Sequence, residues 1–279
     1  MVRIEIYLPV SFCFHSNKLA RVSDRHHLPH LNLDRMVGFH TERQGAIMST
    51  TQFFKQLEES IARYDLLCHP FYKAWAAGEL SREDLREYAR NYYHHVQSFP
   101  SYLAEFALRL DEGELRKAVL ANMVDEKGGG PSGKEAVPHA DLWLDFAEGM
   151  GTSRDMRWHL PVQQISDLMH YFHRVASEGT PEEALTAFYV YESQVPRIAQ
   201  EKERGLREMY GADDKTCGYF ALHATADVYH SNVWREQLEK RLATNPETAD
   251  AALNAAENTA KMLWQALDGI ETARLSYAM

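Results

Sequence analysis

Two histidines and an aspartate recur at helical spacing in the segment His223-Ala-Thr-Ala-Asp227-Val-Tyr-His230. On an α-helix, positions i, i+4 and i+7 lie on one face, so both imidazoles and the carboxylate point in one direction. Such nitrogen and oxygen ligands suit iron or manganese. A solvated polar face is the ordinary alternative. The apolar Phe220 and Trp234 favour a packed helix, in which converging polar groups need partners.

Three further residues could complete a metal site with this segment. Glu126 follows the run LANMVD, His139 begins the helical text HADLWLDFAEG, and Glu192 lies within the apolar text AFYVYESQV. A lone carboxylate in apolar surroundings is costly unless it is protonated, paired or bound to a metal. Each residue has an ordinary alternative: a helix-end charge for Glu126, a helix cap for His139, and a salt bridge with Arg197 or Lys202 for Glu192.

Together these six residues predict a site for two transition-metal ions. They supply three carboxylates and three imidazoles. Three carboxylates facing two divalent cations leave one net positive charge, which suits reduced oxygen species or an anionic substrate. Helical bundles build dinuclear sites from inward-facing side chains, commonly through Glu-x-x-His pairs. The pattern here is His-x3-Asp-x2-His, a different arrangement.

The elements that must position these residues are helices. Ser81 with Asp84, and Thr180 with Glu183, have the spacing of capping boxes, and Pro181 fits the first helical position of the second helix. A final helix is predicted by apolar residues that step by three and four along one face: Leu253, Ala256, Ala260, Leu263, Leu267 and Ile270. No alternating β-branched segment bounded by turns occurs, so the fold class is predicted to be all-α.

The chain divides into two parts at Met48. Residues 1–47, with text such as DRHHLPHLNLDR, show no sustained period. We interpret them as an N-terminal extension, either disordered or a wrongly assigned start. Residues 48–279 are well patterned and are predicted to form a single helical domain.

Composition argues against several partners and locations. A formal net charge of −10 is unlike the basic surfaces that bind nucleic acid or anionic membranes. No apolar run approaches the ~18 residues of a membrane span. The three cysteines are odd in number and lack paired spacing, which favours a reducing compartment. The N-terminal text MVRIEIYLPVSFCF contains Glu5 and is a poor signal peptide. We therefore expect a cytoplasmic protein that binds neither nucleic acid nor membrane.

Five segments occur in the order HPFYKAW, YARNYYHHVQSFPSYL, DEK…HADLW, YESQVPRIAQEKERGL and HATADVYH. They resemble the CADD family (Chlamydia protein associating with death domains), a branch of the TenA and PQQ-synthesis-C superfamily. The resemblance covers nearly all of residues 50–245.

This resemblance implies a heme-oxygenase-like bundle of about seven helices. It also implies an oxygen-dependent oxidase that makes p-aminobenzoate for folate biosynthesis. The implied cofactors are two transition-metal ions, iron with manganese or a second iron. Dioxygen is the implied co-substrate. We also expect an external reductant as a partner, and the chain to form a homodimer. The implied metal ligands are the six residues above: Glu126, His139, Glu192, His223, Asp227 and His230.

The resemblance further implies that the aromatic ring comes from a tyrosine of the protein itself. Tyr72 in HPFY matches that tyrosine, Tyr88 matches a second tyrosine near the site, and Lys202 matches the amino donor. The protein is then consumed, or turns over only a few times. Without the resemblance, Tyr72 beside Trp75 reads as core packing, and Lys202 in QEKERG reads as a solvated helix charge.

Two other functions stay open. The same metals could oxidise an external small molecule catalytically, by decarboxylation or N-oxygenation. Alternatively, the chain could be a non-enzymatic interaction protein, as the family name suggests.

The loop between Glu126 and His139 departs from the family pattern. It is longer than the family's connection, with GGGPSGKEAV inserted, which leaves Asp125 and Glu135 as alternatives to Glu126. Its glycines and lysine also fit part of a phosphate-binding loop. However, Glu135 stands where magnesium needs a Ser or Thr and no strand precedes the loop, so a flexible connection between helices is preferred.

Overall fold

The computed structural model describes residues 48–129 and 136–277, and within these ranges the chain forms ten α-helices, two short 3₁₀ turns and no β-strand. The α-helices are α1 (Thr50–Arg63), α2 (Pro70–Ala77), α3 (Arg82–Arg109), α4 (Glu114–Glu126), α5 (His139–Gly149), α6 (Gln163–Glu178), α7 (Pro181–Glu192), α8 (Val195–Tyr210), α9 (Asp214–Thr244) and α10 (Ala249–Tyr277). The all-α prediction is confirmed. The number of helices exceeds the roughly seven expected. One reason is that Pro196 has no backbone N–H with which to continue α7; it lies at the second position of α8 instead.

The predicted capping boxes form at both sites. The Thr180 hydroxyl accepts from the Glu183 N–H at 3.2 Å, and the Glu183 carboxylate accepts from the Thr180 N–H at 2.7 Å. Ser81 and Asp84 make the equivalent pair of bonds at the start of α3. These bonds satisfy backbone donors that have no partner within the helix, so each box fixes where its helix begins.

Helix α9 is the longest element and packs against α5, α7 and α8, while α3 packs against α4, α5 and α6. Helix α10 covers α6, α7 and α1. Its predicted apolar face is buried, apart from a half-buried Leu253. This packing brings the ends of α4 and α7 and the start of α5 alongside the middle of α9.

A close approach joins α8 to α2. A Cβ atom added at Gly205 would lie 2.9 Å from two ring atoms of Trp75, so only glycine leaves room for that ring. The Trp75 indole N–H donates to the carbonyl of Lys202 at 3.3 Å. Gly205 therefore allows α8 to lie against α2, and Lys202 is placed one turn before it.

The proposed extension, residues 1–47, and the loop residues 130–135, which include Glu135, lie outside the described residues. Among the helices that the structure does describe, none combines the length and apolar character that crossing a membrane requires.

Candidate metal centre

The six residues predicted as metal ligands come together from four helices. Glu126 is the last residue of α4, His139 the first of α5 and Glu192 the last of α7. The other three project from one face of α9, as the spacing indicated. All six are buried, and they form two triads: Glu126, His139 and His223, and Glu192, Asp227 and His230.

In the first triad, one potential ligand atom from each of Glu126, His139 and His223 lies within 4.8 Å of the other two. His139 Nδ1 is 3.0 Å from a Glu126 carboxylate oxygen. His223 Nδ1 lies 2.7 Å from the carbonyl oxygen of Tyr219. Because a carbonyl can only accept, Nδ1 carries the proton and Nε2 is left as the metal-binding nitrogen.

The second triad has the same spacing, again with one potential ligand atom per residue within 4.8 Å of the others. His230 Nδ1 lies 3.4 Å from Asp227 Oδ1, and neither atom has a hydrogen-bond partner among the described residues. Glu192 accepts from the Asn122 amide at 3.0 Å and from the Trp234 indole N–H. These two donors hold its carboxylate in place beside the unpartnered atoms.

Burial disfavours the charged forms of the side chains in this cluster. It raises the pKa of Glu192 to about 8 and the pKa of Asp227 well above its ordinary value, and burial together with His139 lowers the pKa of His223 to about 4. Burial opposes charge on Glu126 and His139 too, but their mutual attraction outweighs it, lowering the pKa of Glu126 and raising that of His139. Bound cations would stabilise the ionised carboxylates and displace these protons. The donor set and the unpartnered atoms therefore fit metal ions.

Asp125, the alternative ligand, lies outside both triads. One of its carboxylate oxygens is 3.1 Å from His230 Nε2, on the side of that ring away from Asp227. The suggested salt bridge of Glu192 does not form either, since Arg197 pairs with Asp65 at 3.0 Å and the Lys202 amine donates to the Tyr88 hydroxyl. The structure thus favours Glu126 over Asp125 as a ligand.

The other three predicted residues form a second cluster. The hydroxyls of Tyr72 and Tyr88 lie 3.1 Å apart, and the Lys202 amine donates to the Tyr88 hydroxyl at 2.5 Å. The amine also lies 4.4 Å from the centroid of the Tyr72 ring. Lys202 is only 6% exposed, so its interpretation as a solvated helix charge is wrong. Burial lowers the pKa of Lys202 well below its ordinary value and raises the pKa of both tyrosines well above theirs.

Two tyrosines, Tyr191 and Tyr219, lie between the two clusters, and we call this pair the tyrosine wall. A cavity of about 10 Å³ is lined by Glu126, Glu192 and other ligands, and a cavity of about 30 Å³ is lined by Tyr72 and Lys202. Both cavities are lined by Tyr191 and Tyr219. Neither Tyr72 nor Tyr88 lines the metal-site cavity, so the residues predicted from sequence divide between two neighbouring sites.

The residues that support the triads were not predicted from the sequence, although helical spacing could have indicated them. Asn122 lies four residues before Glu126, Tyr219 four before His223, and Trp234 four after His230, so each shares a helix face with a ligand. Tyr191 directly precedes Glu192. Glu192 accepts hydrogen bonds from an amide and an indole, and His223 donates one to a carbonyl. The Tyr219 ring stacks on the His223 ring with their centroids 3.9 Å apart.

A family model described as iron-containing redox enzyme matches residues 86–264 of the chain. The chain belongs to that family. The 4-aminobenzoate synthase of Chlamydia pneumoniae is 33% identical over 78% of this chain and 94% of its own length. A 4-aminobenzoate synthase of Nitrosomonas europaea is also 33% identical, over 80% of this chain and 92% of its own length.

The fold comparison agrees. A solved domain from Shewanella denitrificans, described as having a heme oxygenase-like fold, matches with a TM-score of 0.69 at 16% identity, covering 84% of this chain and 96% of that domain. The sequence-based resemblance and the heme-oxygenase-like fold are thereby confirmed. This member of the iron-containing redox family is an oxidoreductase built to bind metal ions.

Proposed function

We propose that this protein is an oxygen-dependent dimetal oxidase that forms p-aminobenzoate from the side chain of its own Tyr72, with Lys202 as the nitrogen donor. The Cα–Cβ bond of Tyr72 breaks and Cβ is oxidised to the carboxyl carbon, while the nitrogen of Lys202 leaves its Cε and replaces the phenol oxygen, which departs as water. The observation that carries the proposal is the position of the Lys202 amine, 4.4 Å from the centroid of the Tyr72 ring and enclosed with it. The names of the relatives support the product. The proximity of amine and ring supports their roles as reactants.

Lys202 is prepared for this role by its surroundings. Burial favours the uncharged amine, whose nitrogen lone pair is then free to act as a nucleophile. The bond from Trp75 to the Lys202 carbonyl anchors the backbone, and the Tyr88 hydroxyl anchors the amine. The cavity at Tyr72 has a volume of only about 30 Å³, so little water can compete with the reacting groups.

The two triads supply the other half of the proposed chemistry. Glu126, His139 and His223 would hold one metal ion, and the triad at Glu192 would hold the other. With iron and manganese, or two irons, bound there, reaction with dioxygen and an external reductant supplies the oxidising equivalents. The tyrosine wall then lies between the place where those equivalents arise and the ring that is consumed.

The test is to label the tyrosine rings of the protein with heavy carbon, purify it, load it with metal, and add reductant and oxygen without any substrate. The expected result is labelled p-aminobenzoate, together with loss of the side chain at position 72 by peptide mass spectrometry. Product without label, or many turnovers on an added compound, would contradict the proposal.

Three variants separate the roles. Tyr72→Phe and Lys202→Arg should each stop product formation while leaving metal binding intact. Tyr171→Phe is the matched control, because Tyr171 is also buried but its hydroxyl bonds to Thr259 and lies in neither cluster. Labelled product from Tyr72→Phe would transfer the role of ring donor to Tyr88.

One observation favours catalysis on an external small molecule instead. A mostly apolar cavity of about 630 Å³ lies between α4 and α9, and His230, Trp234 and Asn122 line it. It is large enough for a single-ring molecule and reaches the outer edge of the second triad. Filling it with Ala121→Trp should abolish turnover of an added substrate but spare formation of product from the protein's own tyrosine.

A further inference from the structure

The His230 ring connects the second triad to a carboxylate outside it. Nδ1 of the ring lies 3.4 Å from Asp227 Oδ1, inside the triad. Nε2 of the same ring lies 3.1 Å from Asp125 Oδ2, outside the triad. The ring is buried, whereas the Asp125 side chain is 29% exposed. Asp125 therefore contacts solvent on one side and a metal-ligand candidate on the other.

The chemistry of imidazole gives this contact a role. A neutral imidazole carries one proton, and the nitrogen that binds a metal must be the one without it. A carboxylate beside Nε2 accepts a hydrogen bond from the N–H there, which leaves Nδ1 free on the side of Asp227. Metal-bound histidines commonly have such a partner, and its loss typically weakens metal binding by about 10- to 100-fold.

We propose that Asp125 is a positioning residue that holds His230 in the Nε2–H form and thereby sets the metal affinity of the second triad. This rests on the metal site of the proposed function. The first triad differs, because the corresponding acceptor for His223 is the carbonyl of Tyr219. A carboxylate forms a stronger, charge-assisted hydrogen bond than a carbonyl. The hydrogen bond that orients His230 is therefore stronger than the one that orients His223.

The hydrogen bond can be tested without any metal. Protein labelled with ¹⁵N-histidine is stripped of metal, and the His230 nitrogen signals are assigned from their absence in His230→Gln. The wild type should show His230 predominantly protonated at Nε2, and Asp125→Ala should shift the ring toward a mixture of both neutral forms. Identical His230 signals in the wild type and Asp125→Ala would overturn the proposal.

A cobalt(II) titration then measures the consequence. Asp125→Ala should still bind two ions, one of them about 10- to 100-fold more weakly than in the wild type. Asp125→Asn, whose amide oxygen can still accept from Nε2–H, should recover part of that loss. Asp111→Ala, which removes an exposed carboxylate just before α4, should bind like the wild type.

The remaining outcomes are distinguishable. Two ions bound by Asp125→Ala with wild-type affinity would overturn the positioning role alone. Only one ion bound at saturating cobalt would also overturn it, because Asp125 would then be a ligand itself. A wild type that binds no cobalt would overturn the proposed function, whatever the NMR spectra show about the hydrogen bond.

Discussion

The two clusters on either side of the tyrosine wall are both buried, but they differ in what they lack. At the triads, Asp227 Oδ1 and His230 Nδ1 have no hydrogen-bond partner among the described residues. In the other cluster, the two tyrosine hydroxyls and the lysine amine bond to one another. Buried polar groups are normally satisfied. The polar atoms of the first cluster therefore need ions from outside to be satisfied, whereas the polar groups of the second cluster satisfy one another.

The largest expected effect tests whether the triads are completed by ions. His223→Ala and His230→Ala each remove one ligand from a different triad, so each variant should hold about one fewer metal ion than the about two of the loaded wild type. The double variant should hold almost none. Elemental analysis measures the metal content, and circular dichroism checks that the helices remain. Full metal content in the double variant would refute the assignment.

An intermediate effect concerns charge in the metal-free protein. The pKa of Glu192 is raised from 4.5 to about 8 by burial, so the folded state holds a proton that the unfolded state releases between those values. Stability is therefore lost as pH rises through this range. Relative to Glu192→Gln, the metal-free wild type should lose up to about 1.4 kcal/mol of unfolding free energy per pH unit between about pH 5 and 8. Urea denaturation at several pH values measures this difference.

Glu182 provides the matched control for that experiment. It is also buried on α7, but it accepts from Arg241 at 2.8 Å and from Asn245 at 3.3 Å. Glu182→Gln removes one partner of this ion pair and should lower stability at pH 8, opposite in sign to Glu192→Gln. Added metal should reverse the advantage of Glu192→Gln. If the free energy of unfolding differed between wild type and Glu192→Gln by the same amount at pH 5 and at pH 8, the burial of a protonated carboxyl would be contradicted.

The smallest expected effect tests whether the second cluster is complete in itself. Tyr88→Phe leaves both the Tyr72 hydroxyl and the Lys202 amine without their partner, which should cost about 1–3 kcal/mol of unfolding free energy. Tyr72→Phe leaves the bond between Tyr88 and Lys202 in place and should cost less. Urea denaturation of the metal-free variants compares them. Equal costs would show that the Tyr88 hydroxyl does not link the other two groups.

The clustering of the candidate metal ligands could be predicted in part from the sequence, because local geometry determines the arrangement of several of them. His223, Asp227 and His230 share a helix face whatever surrounds them, and Glu192 stood out as a carboxylate in apolar text. The capping residues fixed helix starts by equally local rules. The 3.6-residue period of the helix and the free-energy cost of burying a charge are enough to predict these features.

The second cluster depends on tertiary contacts that no local pattern reveals. Lys202 stands among charged residues, and its neighbours in the sequence gave no sign that it is buried. Its burial follows from the packing of α8 on α2, which Gly205 permits by leaving room for Trp75. The local sequence therefore indicates a solvated Lys202, and only the resemblance to a family places Lys202 and Tyr72 in one reaction.

The proposed consumption of the enclosed Tyr72 would have a consequence for the lifetime of the protein. Its ring is 5% exposed and lies among Phe71, Tyr88 and the Lys202 side chain. A reaction that removes this ring leaves a void in the interior, and emptying a buried aromatic position costs about 3–5 kcal/mol. That is a large share of the roughly 5–15 kcal/mol that keeps a typical domain folded. Spent molecules would unfold more often than fresh ones, and cellular proteases would remove them first.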